Sequence, residues 1–289
     1  MRFEQDFSAV TVVSAAQPSQ GAARFQVPCP NGATRLFAVI GHPVAQVQAP
    51  ALMNRLFVDR MIDAVLVPVE AAPADFPVVI EGLKRIANLD GILITVPHKF
   101  AACDHADHLG EAARLAGSAN ALRREADGTW AADNFDGVGF VRGLVGAGYD
   151  PRGKVVSLVG AGGAGASIAP ALLTQGARLL VLSDVSEHRT RQLAARLETK
   201  WPRQVRVASA PAVESDILIN ATPVGLRAED PLPFGLDGVR ADAVVADIIM
   251  KPAETRLLKA AVARGLRVHP GIHMLSEQIE LYRQFFRIP

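Results

Sequence analysis

The sequence predicts an α/β protein of two domains, each a largely parallel sheet covered by helices, with a cleft between them. Three observations carry that expectation. Short apolar runs alternate with helix-length stretches from residue 35 onward, the pattern of repeated βαβ units. One apolar run, Val155-Val-Ser-Leu-Val159, enters the glycine-rich turn Gly160-Ala-Gly-Gly-Ala-Gly165 and leaves it in small, helix-compatible residues. At 289 residues the chain is long enough for two domains or one large one.

Taken in order, residues 1–34 lack sustained periodicity and hold Pro18, Gly21, Pro28, Pro30 and Gly32. They read as an extension with one strand, Val10-Thr-Val-Val13. Regular structure begins with the strand Leu36-Phe-Ala-Val-Ile40, bounded by Gly41 and Pro43. A helix over Ala51–Met61, a strand over Ala64–Val69, a helix over Phe76–Ala87 and a strand over Gly91–Val96 follow. After Pro97 a helix is expected through much of His98–Leu115, and Ala119–Ala132 reads as a hairpin turning at Asp127-Gly128. A helix from Asp136 to about Gly148 opens near the domain boundary. Beyond it, strands are expected near 155–159, 178–183, 205–208, 216–220, 243–248 and 266–268, with helices near 164–175, 187–199 and 253–264. The final helix, Met274–Phe286, places Leu275, Ile279, Tyr282 and Phe286 on one stripe, read as core.

Composition narrows the partners. Lys and Arg number 30 against 29 Asp and Glu, so nothing points to nucleic acid or a membrane surface. Two cysteines, Cys29 and Cys103, imply no disulfide framework and fit a reducing cytoplasm. Arg2, Glu4 and Asp6 stand at an N-terminus without an apolar core of signal-peptide length. The uncharged stretch Val155–Ala177 is about long enough to cross a bilayer, yet its glycines and Pro170 divide it into strand, turn and helix. The histidines and cysteines form no ligand-spaced cluster, so no metal is expected.

The strand–turn–helix at 155–175 is the G-x-G-x-x-G dinucleotide fingerprint of the Rossmann fold in its proper setting. Gly160 permits the tight turn, Gly162 lets backbone approach a pyrophosphate, and Gly165 lets helix and strand pack closely. Free N–H groups and the helix dipole then favour phosphate, which makes Gly160, Ala161, Gly162, Gly163 and Ala164 the expected cradle. The next strand ends in Asp184, about twenty residues on, where an acid reading the ribose hydroxyls belongs. A nicotinamide site also needs a proton-transfer group in a loop at the carboxyl end of a parallel strand. Lys99 follows the strand 91–96 directly, through Thr95, Val96 and Pro97.

Ile94-Thr-Val-Pro-His-Lys99 resembles the N-V-T-V-P-F/H-K signature of the shikimate/quinate dehydrogenase family. Phe37-Ala-Val-Ile-Gly-His-Pro-Val44 is similar to its A-V-I-G-x-P-I/V, and Leu115-Ala-Gly-Ser-Ala-Asn-Ala-Leu122 to its A-G-A-V-N-T-L. Ala132-Asp-Asn-Phe-Asp-Gly-Val-Gly139 is similar to G-D-N-T-D-G-x-G, and Ile219-Asn-Ala-Thr-Pro-Val-Gly225 to N-A-T-P-x-G. The matches keep the family's order across about residues 36–285.

The resemblance implies substrate in the cleft, NAD(P) on the C-terminal domain, and reversible hydride transfer between nicotinamide and a ring carbon bearing a secondary alcohol. It divides the chain into an extension (1–34), a substrate-binding domain (35–137, completed by the C-terminal helix 272–289) and a cofactor domain (138–271). By motif position Lys99 is the proton-transfer group and Asp136 its partner in a Lys–Asp dyad. Asn120 holds ring hydroxyls, Thr95 lines the pocket and Gln278 reaches in from the last helix. Asn220, Ala221, Thr222 and Gly271 join the cofactor set. A lysine beside a carboxylate can take the hydroxyl proton as the C–H hydride leaves, and the titration belongs to the pair. Asp136 also reads as an N-cap, and Asp133 as structural.

Two anchors depart from the pattern. Where the family's substrate loop reads A-H-S-K-S-P, its serines donating to a ring carboxylate, this chain has Ala45-Gln-Val-Gln-Ala-Pro50. Val47 and Ala49 stand at the serine positions and cannot donate. In D-x-x-Y-x-P-x-x-T the tyrosine is Met250, and in D-N-T-D the threonine is Phe135. Hydrogen bonds to charged groups contribute about 1.5–3 kcal/mol each, so losing several weakens carboxylate binding by orders of magnitude. Gln46 and Gln48 are candidate replacement donors, as are His98 and His273. The expectation is intact dehydrogenase machinery with preference moved from shikimate to a less acidic or bulkier hydroxy ring. NADP-using members place N-R-S/T after the second cofactor-domain strand, whereas Ser183-Asp-Val-Ser186 sets an acid against a 2′-phosphate, with Arg189 and Arg191 on the next helix. NAD is therefore expected over NADP, which stays as the alternative. The expected partner is a small cyclic hydroxy acid, and a homodimer is left open. So are two other readings: an authentic biosynthetic shikimate dehydrogenase that grips the carboxylate otherwise, and a non-catalytic nucleotide-sensing regulator.

Overall fold

The alternation resolves into two six-stranded sheets, and the ends of their strands position the site. The computed structural model describes residues 30–289; the strand expected at 10–13 lies outside the described residues. The first sheet holds β1 (Arg35–Gly41), β2 (Ala64–Glu70), β3 (Leu89–Ile94), β4 (His108–Leu109), β5 (Ala121–Arg124) and β6 (Trp130–Asp133) in the order β2-β1-β3-β5-β6-β4. The strands β1, β2 and β3 run parallel, and the hairpin β5–β6, turning through Asp127 and Gly128, adds antiparallel. Among the helices of this half are α1 (Ala49–Asp59), α2 (Phe76–Lys84) and α3 (Glu111–Ala116).

The second sheet contains β7 (Val155–Val159), β8 (Leu179–Ser183), β9 (Val205–Val207), β10 (Ile217–Asn220), β11 (Val244–Asp247) and β12 (Arg267–His269). All pairs are parallel, in the order β12-β11-β10-β7-β8-β9. The helices α4 (Asp136–Gly146), α5 (Gly163–Thr174), α6 (Glu187–Glu198), α7 (Arg256–Ala263) and α8 (Ile272–Phe285) complete the fold. No helix among the described residues is long and apolar enough to cross a membrane; Val155–Ala177 forms β7, the glycine turn and α5.

One expected element is corrected. The stretch 98–115 is not one helix but a 3-10 turn at Ala101–His105, then β4 and α3. Tertiary hydrogen bonds override its helical pattern. His108 and Leu109 pair with Ala131 and Ala132, Asp107 accepts the Trp130 N–H at 2.8 Å, and Asp133 accepts the Ala113 N–H at 3.0 Å. Asp133 is thus structural, as expected.

The helices α1 and α8 cover one face of the first sheet, burying Phe37, Met53, Phe57, Leu275, Tyr282 and Phe286 together. Phe76 and Ile80 of α2 bury the other face against Ile92. Between the sheets runs α4, whose glycines let it press on two neighbours. A Cβ at Gly137 would lie 2.1 Å from the Ser167 carbonyl oxygen of α5, and one at Gly139 would lie 2.6 Å from Gln278 Cγ of α8. Backbones this close leave α4 little freedom to shift, and Asp136 at its start is fixed accordingly.

Candidate active site

In the second sheet the chain steps to one side of β7 through β8 and to the other through β10, so the crevice at their carboxyl ends is the topological switch point. The glycine turn lies there. Gly160 has φ +107°, and a Cβ on it would sit 2.7 Å from the Ala221 carbonyl; a Cβ on Gly165 would sit 1.9 Å from the Gly160 oxygen. Both positions require glycine. A Cβ at Gly162 would meet nothing within 4 Å, and Gly162, Gly163 and Ala164 are part-exposed at the N-terminus of α5. That open cradle of helix-terminal N–H groups fits a dinucleotide pyrophosphate. Asp184 at the end of β8 accepts the Ala161 N–H and the Ser186 N–H, each at 2.7 Å, beside a fully exposed Val185.

Of the remaining four expected cofactor residues, Ala221 and Thr222 back this turn, Asn220 fixes Thr222, and Gly271 packs elsewhere, on Ile248. Asn220 donates to Val224 O and Asp247 Oδ1, and accepts from the Thr222 N–H and hydroxyl. Ala221 abuts Gly160, and Gly271 lies so near Ile248 that a Cβ would be 2.4 Å from its carbonyl.

Lys99 crosses from the first sheet to this turn. Its stem lies on Gly163, and its ammonium donates to Asp136 Oδ2 at 2.5 Å. The Lys99 side chain is 12% exposed and that of Asp136 3%, so this is a nearly dry ion pair in which each charge needs the other. Asp136 Oδ1 accepts from Asn120 Nδ2 at 2.9 Å and Gln278 Nε2 at 3.3 Å. Asp136 is the first residue of α4, not its cap: Phe135 holds that position, and the carboxylate is spent on Lys99, Asn120 and Gln278. Asn134 donates to the Ser118 hydroxyl, which donates to the Gly163 carbonyl and so ties the two sheets together beneath the pair. Part-buried Thr95 sets its methyl against Gly41.

The family model for the shikimate dehydrogenase substrate binding domain matches residues 39–122. A shikimate dehydrogenase (NADP(+)) of Rubrobacter xylanophilus is 37% identical over 257 residues, covering 87% of this chain and 90% of that protein. This chain belongs to the shikimate dehydrogenase family. Two solved structures share its fold. A ligand-free 5-ketofructose reductase of Gluconobacter sp. strain CHM43 is 28% identical with TM-score 0.77, covering 88% of this chain and 92% of its own. A quinate dehydrogenase from Corynebacterium glutamicum in complex with NAD is 27% identical with TM-score 0.77, covering 87% and 93%. The chain is accordingly an oxidoreductase of the shikimate/quinate dehydrogenase type.

Sequence reasoning missed one member of the polar cluster around Asp136. Tyr282, read as core, is buried, and its hydroxyl accepts from Asn120 Nδ2 at 3.0 Å and donates to Gln278 Oε1. Burial, then the neighbouring Asp136 charge, push its pKa well above the ordinary value, so it is a neutral donor. Its signal was present as Gln278 and Tyr282 four apart on one helix face.

Of the expected replacement donors, His98 is engaged elsewhere, and Gln46 and Gln48 each spend one amide proton on a carbonyl. Gln46 Nε2 donates to Pro43 O at 2.8 Å and Gln48 Nε2 to Gln46 O at 2.9 Å, so both brace their own loop. His98 is buried, stacked on Phe76 at 4.2 Å with Nε2 on the Ala71 carbonyl, and burial lowers its pKa. His273 stacks on His269 at 5.0 Å. Val47, Phe135 and Met250 pack in one apolar cluster with Ala49, Tyr282 and Phe285, adjoining the polar group around Asp136.

Proposed function

We propose that this protein is an alcohol dehydrogenase that interconverts a ring secondary alcohol and its ketone, prefers NAD, and takes a substrate other than shikimate. The observation that carries the reading is the Lys99–Asp136 pair lying against Gly163 at the mouth of the glycine turn. Gly160–Ala164 and Asp184 would hold the dinucleotide, which supplies or accepts hydride when bound. Lys99 holds the proton exchanged with the substrate oxygen, and Asp136 keeps its ammonium aimed. Gln278, with a second amide hydrogen to spare, reaches toward the ring.

Asp184 argues for NAD because a carboxylate accepts hydrogen bonds from ribose hydroxyls and repels a 2′-phosphate. The apolar set Val47, Ala49, Phe135 and Met250 argues against an anionic ring substituent on that wall. The fold also serves a 5-ketofructose reductase, whose named substrate is an uncharged ketose. Residues 35–137 with 272–289 would form the substrate domain and 138–271 the cofactor domain; the composition suits a reducing cytoplasm. The Rubrobacter relative favours a second reading, in which shikimate and NADP are the reactants. Steady-state kinetics with shikimate and quinate, each with NAD and NADP, decide between them. A low-micromolar KM for shikimate with NADP selects the second, and loss of turnover in Lys99→Ala is expected under either.

A further inference from the structure

Counting hydrogens around Asn120 gives an unexpected result. Its amide nitrogen has two protons and three acceptors within reach: Asp136 Oδ1 at 2.9 Å, the Tyr282 hydroxyl at 3.0 Å and, more distantly, Gln278 Oε1 at 3.4 Å, so both protons are used. Its carbonyl oxygen accepts the Phe135 N–H at 2.9 Å. The Tyr282 hydroxyl spends its own proton on Gln278 Oε1. A phenol of this protein therefore takes up one of the Asn120 amide protons.

The neighbouring wall is equally selective. Phe135 meets the Tyr282 ring edge-on at 5.7 Å and the Phe285 ring at 5.1 Å. Val47, Ala49 and Met250 belong to the same apolar cluster, and none of these side chains except Tyr282 can donate a hydrogen bond. The two amides of the adjoining loop are tied to carbonyls, at Gln46 and Gln48. An anionic group facing this wall would exchange its hydration for at most the second amide protons of Gln46 and Gln48.

Building on the dehydrogenase reading above, we infer that the site takes an uncharged ring alcohol or ketone and that Tyr282 is a specificity-determining residue standing in for one substrate hydroxyl. Tyr282 excludes by occupancy: a substrate with a hydroxyl at that point must displace the phenol from Asn120. A substrate without one fits as the site stands.

Three probes test this with NAD: shikimate, its methyl ester, and cyclohexanol. The ester removes only the charge. We expect its kcat/KM to exceed that of shikimate by tenfold or more, and the ester but not shikimate to raise the melting temperature of the NADH-bound protein. Tyr282→Phe keeps the ring and takes the phenol off Asn120, leaving that N–H only the longer contact to Gln278 Oε1 at 3.4 Å. It should shift the kcat/KM ratio of methyl shikimate to cyclohexanol at least fivefold toward the hydroxyl-rich ester, through KM, whereas a merely structural defect would lower both together. Shikimate matching or beating its ester overturns the inference while leaving the dehydrogenase reading intact. An unmoved ratio in the variant overturns the role of Tyr282. Turnover of no probe, or turnover that survives Lys99→Ala, overturns the dehydrogenase reading and this inference with it.

Discussion

The methylene stem of Lys99 rests on the bare backbone of Gly163. A Cβ at 163 would stand 2.9 Å from Lys99 Cβ, closer than carbon atoms tolerate, and a tight 3.1 Å from Cδ. Lys99 Cβ is held by its own main chain, whose carbonyl accepts the Ala119 N–H at 2.8 Å, so the stem cannot simply swing away. Gly163→Ala should therefore turn the ammonium off Asp136. We expect kcat to fall tenfold or more while the NADH dissociation constant, read by fluorescence, changes far less. A variant with wild-type kcat would show that the stem yields freely.

The ammonium itself is separable from its stem. Lys99→Met keeps the methylenes on Gly163 and removes the charge and the proton. General acid–base groups contribute roughly a hundred- to ten-thousandfold, so kcat should drop by that order. Asp136 keeps its Asn120 and Gln278 donors but loses its counter-charge, so the melting temperature should fall as well. Asp136→Asn, conversely, leaves the Lys99 ammonium facing an amide in a nearly dry site. It should lower both kcat and the melting temperature, checked by kinetics and circular dichroism.

Asp184 braces the glycine turn as well as facing outward from β8. Asp184→Ser keeps a short polar group and removes the negative charge. The ratio of kcat/KM with NADP to that with NAD should rise at least tenfold, measured with one substrate at one ionic strength. An unchanged ratio would mean that discrimination lies elsewhere, for instance in Arg189 or Arg191.

Local pattern made much of this legible. The glycines at 160 and 165 announced themselves because a left-handed φ and a near-touching backbone admit little else, and a strand of five buried residues preceded them. The expected helix over 98–115 failed because its backbone partners, Trp130 and Ala132, come from a strand that periodicity within the segment does not see. Tyr282 was placed on the right face of the right helix. Its ring is core; its hydroxyl meets Asn120, 162 residues earlier in the chain, and no helical spacing reports such a contact. Gln46 and Gln48 had the right chemistry, but each spends one amide proton on its own short loop.

His269 sets a pH limit on the fold. It is 1% exposed, packed edge-on against Phe140 and Tyr149, and neither ring nitrogen has a partner among the described residues. Burial, then the stacked His273, hold its pKa at about 4 against 6.5 in the unfolded chain. The fold thus favours the neutral ring. Above pH 6.5 neither state carries the proton and stability is unaffected; between 6.5 and 4 the unfolded chain takes up a proton that the fold refuses, so stability falls as pH falls. Below about 4 the loss levels off, at roughly 3 kcal/mol given about 1.4 kcal/mol per pKa unit. Other groups also titrate there, so the comparison must be with His269→Phe, which keeps an aromatic ring and has no proton to gain. Urea unfolding at pH 7 and pH 5 should show the wild type losing about 2 kcal/mol more than the variant. Equal losses would mean that His269 is protonated in the fold at little cost, which its dry aromatic surroundings argue against.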